Sequence, residues 1–170
     1  MSLRHALLGL LADHPASGYD LIQNFKESLA NVWPATQSQI YTELTKLAAT
    51  DHITVSDEGP RGRKEYTITP QGLANLRHWL TDTPPKPVTR NETLLRVFFL
   101  GTLTPAQATA YLEAIESRSA ATLATLRTLA TTTDWPDTPL ATNGRLALEW
   151  GERFHRMNQE WAQWAKHQLT

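Results

Sequence analysis

Two short alternating segments interrupt a chain whose hydrophobic pattern is otherwise helical. Ile53-Thr54-Val55-Ser56 and Glu65-Tyr66-Thr67-Ile68-Thr69 alternate apolar and polar residues, the period of half-buried strands. Between them Glu58-Gly59-Pro60-Arg61-Gly62-Arg63 makes a turn-rich connection of hairpin length. Three helical patterns come first. Leu3, Ala6, Leu7, Leu10 and Leu11 carry one, Tyr19, Leu21, Ile22, Phe25 and Leu29 the second, and Ile40, Leu44 and Leu47 the third. Their starts are marked by local chemistry: His14-Pro15-Ala16 stops the first, Ser17 with Asp20 offers a cap for the second, and Thr36 with Gln39 a capping box for the third. After the hairpin, Thr69-Pro70 opens a fourth helix with Leu73, Leu76 and Leu80 on its apolar face.

The order helix, helix, helix, hairpin, helix is that of a winged helix-turn-helix, in which the third helix is placed to enter a groove of DNA. Thr83-Pro84-Pro85-Lys86-Pro87 cannot continue a helix. We therefore expect a winged helix-turn-helix DNA-binding domain over residues 1–82, a proline-rich linker over 83–92 and an α-helical dimerisation domain over 93–170. The fold class is mainly α with a small β-hairpin.

Composition removes other classes. With 41% hydrophobic residues and a net charge of -1 the chain is not disordered. Without cysteine it has no disulfide framework, thiolate metal site or cysteine nucleophile. The longest apolar stretches, around Ala6–Ala12 and Leu94–Leu100, are short and broken by Gly9 and Arg96, so no membrane span is expected. Asp13, His14 and Pro15 end the first stretch too early for a signal peptide. We expect a cytoplasmic protein. The histidines at 5, 14, 52, 78, 155 and 167 show no metal-binding spacing, and the glycines at the hairpin tip precede a strand, not the helix of a phosphate loop. No catalytic residue, metal or cofactor is expected.

The third helix turns Gln37, Ser38, Tyr41, Thr42 and Thr45 away from its apolar face. These side chains donate and accept hydrogen bonds to base edges and phosphates, and the first turn adds unpaired amides. A polar face alone is often only solvated surface. The short helix-turn-helix spacing before it favours DNA. Arg61, Arg63 and Lys64 cluster three positive charges at the hairpin tip, which suits a phosphate backbone or the minor groove, though a charged tip also guards a strand edge. Against DNA, residues 1–82 hold seven Lys and Arg and nine Asp and Glu, whereas DNA-binding domains are usually basic. That balance supports a second reading, a helical protein-interaction module whose winged helix contacts protein.

Several of these segments together resemble the PadR-like family of transcription regulators. They are Leu8-Gly9-Leu10-Leu11, Ser17-Gly18-Tyr19-Asp20-Leu21, Ser38-Gln39-Ile40-Tyr41-Thr42-Glu43-Leu44-Thr45-Lys46-Leu47, and Gly62-Arg63-Lys64-Glu65-Tyr66-Thr67-Ile68-Thr69-Pro70-Gln71-Gly72. The resemblance implies a homodimeric winged-helix repressor with a helical C-terminal dimerisation region, often relieved by a small ligand. On this reading the DNA-contacting residues are Ser17, Tyr19, Thr36, Gln37, Ser38, Gln39, Tyr41, Thr42, Lys46, Arg61, Arg63 and Lys64. Two departures stand out. Asp51-His52 replaces the family's usual glycine and large apolar residue, and Thr42 replaces a common proline.

In the second half, Thr104-Pro105-Ala106-Gln107 is another marked helix start. Ala108, Leu112, Ile115, Ser119, Thr122, Leu126 and Leu129 then step by threes and fours. After the break at Asp134–Pro139, so do Ala147, Trp150, Phe154, Met157, Trp161 and Trp164, the spacing of a helix-pair seam. So many aromatics cannot be hidden by one helical hairpin. They are expected to bury against a twin subunit, with the first helix (Leu3, Leu7, Leu10) closing one side. Three of the six tryptophans lie on the last helix. They can line a pocket for a planar effector, but an aromatic stripe at helical spacing more often fills a core.

Overall fold

The structure is a computed structural model in which residues 2–29, 32–56, 64–87 and 90–169 are described. The chain divides into two compact units, residues 1–86 and 87–170.

The first unit runs α1 (Ser2–Asp13), β1 (Ala16–Ser17), α2 (Gly18–Asn24), α3 (Gln37–Ala49), β2 (Ile53–Val55), β3 (Glu65–Ile68) and α4 (Pro70–Asp82). A π-helical turn, Phe25–Leu29, follows α2. Every expected start is made by the expected cap. The Ser17 hydroxyl accepts from the Asp20 amide, Thr36 and Gln39 close a reciprocal box, and the Thr69 hydroxyl accepts from Gly72. Each removes an otherwise orphaned amide at a helix start. The core brings Leu7, Leu8 and Leu11 of α1 against Leu21, Phe25, Ile40, Leu44, Leu47 and Ile53. Trp79 of α4 stacks on His5 of α1, with ring centroids 4.5 Å apart.

The sheet has three strands in the order β1-β3-β2, both pairs antiparallel. Val55 faces Tyr66 and Ile53 faces Ile68, while Ala16 on the other edge also faces Tyr66. The expected hairpin is therefore present. The third strand, two residues long, falls where we read only a helix stop and a cap.

The second unit contains α5 (Glu92–Val97), a 3₁₀ turn (Leu100–Thr102), α6 (Pro105–Thr132) and α7 (Pro139–Gln168). Buried α6 residues are Ala108, Leu112, Ile115, Ser119, Leu123 and Leu126. Leu123, not the expected Thr122, carries the seam at that turn. Thr122 instead donates its hydroxyl to the Arg118 carbonyl. α7 meets α6 through small residues: Ala162 is buried, and a β-carbon on Gly151 would lie 3.1 Å from Leu126 Cδ1. Glu116 of α6 fastens the end of α7, accepting from Gln163 Nε2 at 2.7 Å and from Lys166 Nζ at 2.5 Å. Among the described residues no helix is long and apolar enough to cross a membrane.

Candidate nucleic-acid interface

α3 is held by Ile40, Leu44 and Leu47, which are fully or almost fully buried. That registration leaves Gln37, Ser38, Tyr41, Thr42 and Thr45 lining one shallow open depression. The depression thus presents amide and hydroxyl groups, one aromatic ring and no formal charge. Lys46 extends the face and lies 3.8 Å from Glu43, a loose, exposed pair that leaves the ammonium available to a stronger anion. Thr45 donates its hydroxyl to the Tyr41 carbonyl.

Some of the expected contact residues are already engaged. Ser17 is buried, and its hydroxyl both donates to Asp20 Oδ2 at 2.7 Å and accepts from the Asp20 amide. Ser17 thus builds the start of α2, with its hydroxyl engaged inside the chain. Thr36 and Gln39 are exposed but occupied by each other in the capping box, so they orient the first turn of α3. Tyr19 is well exposed at the start of α2, and its hydroxyl accepts from Gln23. Arg61 and Arg63 lie outside the described residues, whereas Lys64 is exposed at the base of the wing. There Ser56 and Glu65 close the strands by two mutual hydrogen bonds.

The wing is tied to the helices behind it. Asp51 takes φ 55°, the left-handed conformation that favours glycine, and His52 Nδ1 lies 2.8 Å from the Thr50 hydroxyl. The Thr69 amide donates to the His52 carbonyl. A β-carbon on Gly72 would run into that same carbonyl oxygen, so only glycine lets α4 approach this closely. Nearby, burial chiefly, and the adjacent Tyr41 next, push the Tyr66 phenol above its ordinary pKa.

The expected dimerisation residues divide. Leu7 and Leu10 are buried in the first unit's own core, with Leu3 packed against it. The side chains of Leu7 and Leu10 are thus packed within one subunit, while Leu3 is only partly covered. The α7 stripe behaves oppositely. Trp150 is 68% exposed, and Phe154, Met157 and Trp164 are exposed as well, with Trp161 half-buried. Trp150 and Phe154 stack on each other at 5.3 Å. Among the described residues, no group of His, Asp and Glu side chains is arranged to hold a metal ion.

Fold and face together define a winged-helix protein with a helical second unit. Residues 7–78 match the transcriptional regulator PadR-like family, and residues 89–170 match the virulence activator alpha C-terminal family. The negative transcriptional regulator PadR of Bacillus subtilis is 39% identical over 110 residues, an alignment covering 62% of this chain and 60% of that protein. The crystal structure of Bacillus subtilis PadR with operator DNA superposes with a TM-score of 0.86 at 28% identity over 100% of both chains. That of the same protein with p-coumaric acid gives 0.85 at 29% identity over 99% of both. Residues 7–78 form a PadR-like family domain, homologous to that of Bacillus subtilis PadR, a transcriptional regulator, which is not an enzymatic role.

Proposed function

We propose that the chain is a sequence-specific, operator-binding transcriptional repressor that acts as a homodimer in the cytoplasm. The observation that carries this reading is the uncharged, hydrogen-bonding face of α3, with Gln37, Ser38, Tyr41 and Thr42 presented together beside a rigidly capped first turn. Such a face can read base edges in a major groove. The related Bacillus PadR solved with operator DNA adds support. Lys46 and the wing's Arg61, Arg63 and Lys64 would hold phosphates. The outward aromatic stripe of α7 supplies a surface for a twin subunit, since water tolerates such a patch poorly. A small aromatic effector that relieves repression fits both those aromatics and the p-coumaric acid complex of the relative.

One observation favours a second reading. The acidic balance of residues 1–82 suits a winged helix that binds protein. Salt separates the two. Binding to a duplex from upstream of the chain's own coding region should fall steeply as salt rises, because phosphate contacts release counterions. Binding to that duplex no tighter than to a scrambled one would overturn the operator reading and favour the protein-binding one.

A further inference from the structure

Gly18, the first residue of α2, is buried where α2 meets α3. The three atoms nearest a β-carbon built on it all belong to Tyr41: Cε1 at 2.8 Å, the hydroxyl oxygen at 3.2 Å and Cζ at 3.3 Å. Real β-carbons do not approach a ring that closely, so any side chain here displaces the phenol. The backbone of Gly18 is ordinary right-handed helix, a conformation in which alanine is favoured over glycine. What glycine supplies at this position is room. Both sides of the contact are held. The capped Ser17 and the pairing of Ala16 with Tyr66 fix the chain just before Gly18, and Ile40 and Leu44 fix α3 on either side of Tyr41. Tyr41 is nevertheless 40% exposed, so one side of the ring is seated while the rest faces outward with Gln37, Ser38, Thr42 and Thr45.

We propose that Gly18 is a positioning residue for sequence reading: its missing side chain seats the Tyr41 ring against α2, and this seat sets the direction in which the phenol crosses the face of α3. A side chain already held in its bound direction loses less freedom when it meets DNA. The inference rests on the operator-binding reading.

The test uses the full chain, a duplex selected by the parent protein from a random-sequence pool, and a scrambled duplex of the same composition. Gly18→Ala should weaken the selected duplex by about tenfold and leave the scrambled one within about twofold, the pattern of a lost specific contact and kept phosphate contacts. In a Tyr41→Ala background the same change should alter selected-duplex affinity by less than about twofold, because the two residues act through one contact. Equal losses in both backgrounds, or parental affinity of Gly18→Ala, overturn the proposal. If Gly18→Ala lowers the melting temperature, the double variant should recover it, since the ring is the obstacle; a double variant that stays unstable also overturns it. Parental binding by Tyr41→Ala alone would instead refute α3 as the reading helix. Weakened binding by Tyr41→Ala with parental binding by Gly18→Ala removes only the positioning role.

Discussion

The Thr69 hydroxyl donates to the Asp51 carbonyl at 2.6 Å while accepting from the Gly72 amide at 3.0 Å. One side chain thus caps α4 and latches it to the turn between α3 and β2. Thr69→Val keeps the shape and loses both bonds, so it should cost about 1–2 kcal/mol, the upper range for a lost cap. Thr69→Ser should cost less than half as much. Denaturant unfolding of the full chain followed by circular dichroism measures both.

Asp51 holds the left-handed conformation next to that latch. Asp51→Gly should be tolerated, whereas Asp51→Val should lose about 1–2 kcal/mol through the clash of a β-branched side chain at positive φ. Equal melting temperatures for the two variants would contradict this account of the turn.

The Lys166 ammonium foremost, and the Gln163 amide next, hold the Glu116 carboxyl below its ordinary pKa. A depressed carboxylate stabilises the fold above its unfolded pKa, and this contribution disappears as pH falls through the lowered folded value. Glu116→Gln should therefore reduce stability at neutral pH and flatten the acid limb of stability against pH below about 4.5. A parallel, undiminished acid limb in the variant would mean that other carboxylates set it.

Replacing Arg61, Arg63 and Lys64 together by alanine should weaken selected and scrambled duplexes alike. It should also flatten the dependence of log affinity on log salt by roughly one to three counterions. An unchanged slope would mean that the wing tip does not touch phosphate.

Trp150 stands outward on α7, stacked with Phe154. Trp150→Glu puts a charge into the surface assigned to the twin subunit, where an unpaired buried charge is strongly disfavoured. Sedimentation should show a monomer with weaker operator binding. A stable dimer that binds DNA as the parent does would move the seam elsewhere.

Signals confined to a few neighbouring residues were the ones most readable in the sequence. Ser17, Thr36, Thr69 and Thr104 each cap the helix that their spacing foretold, because a cap and its amide lie three residues apart. The strand at Ala16 and Ser17 was not readable, since it exists only through pairing with Tyr66 and Glu65 almost fifty residues on. The helical period of α7 marked its aromatic stripe, which the sequence reading assigns to a twin subunit and which is exposed in the single chain. The smaller face with Gly151 and Ala162 lets α6 come close, with Trp161 packed beside it, while Trp150, Phe154, Met157 and Trp164 stay exposed. At the interface, the polar set on α3 was legible from its period. Which of the expected contact residues are already bonded, as Ser17, Thr36 and Gln39 are, was decided by geometry. Nothing local marked Gly18 as the seat of Tyr41.

The near-absence of formal charge on the α3 face has a kinetic side. A duplex approaching Gln37, Ser38, Tyr41 and Thr42 meets dipoles and a ring, with Lys46 as the one cation of the helix, so this face itself adds little long-range attraction to what the wing's cations would supply. Attachment to arbitrary sequence would then rest on the wing, and the α3 face would add its share only once base edges come within hydrogen-bonding reach, so that the rate of capture and the choice of site would be carried by different parts of the fold.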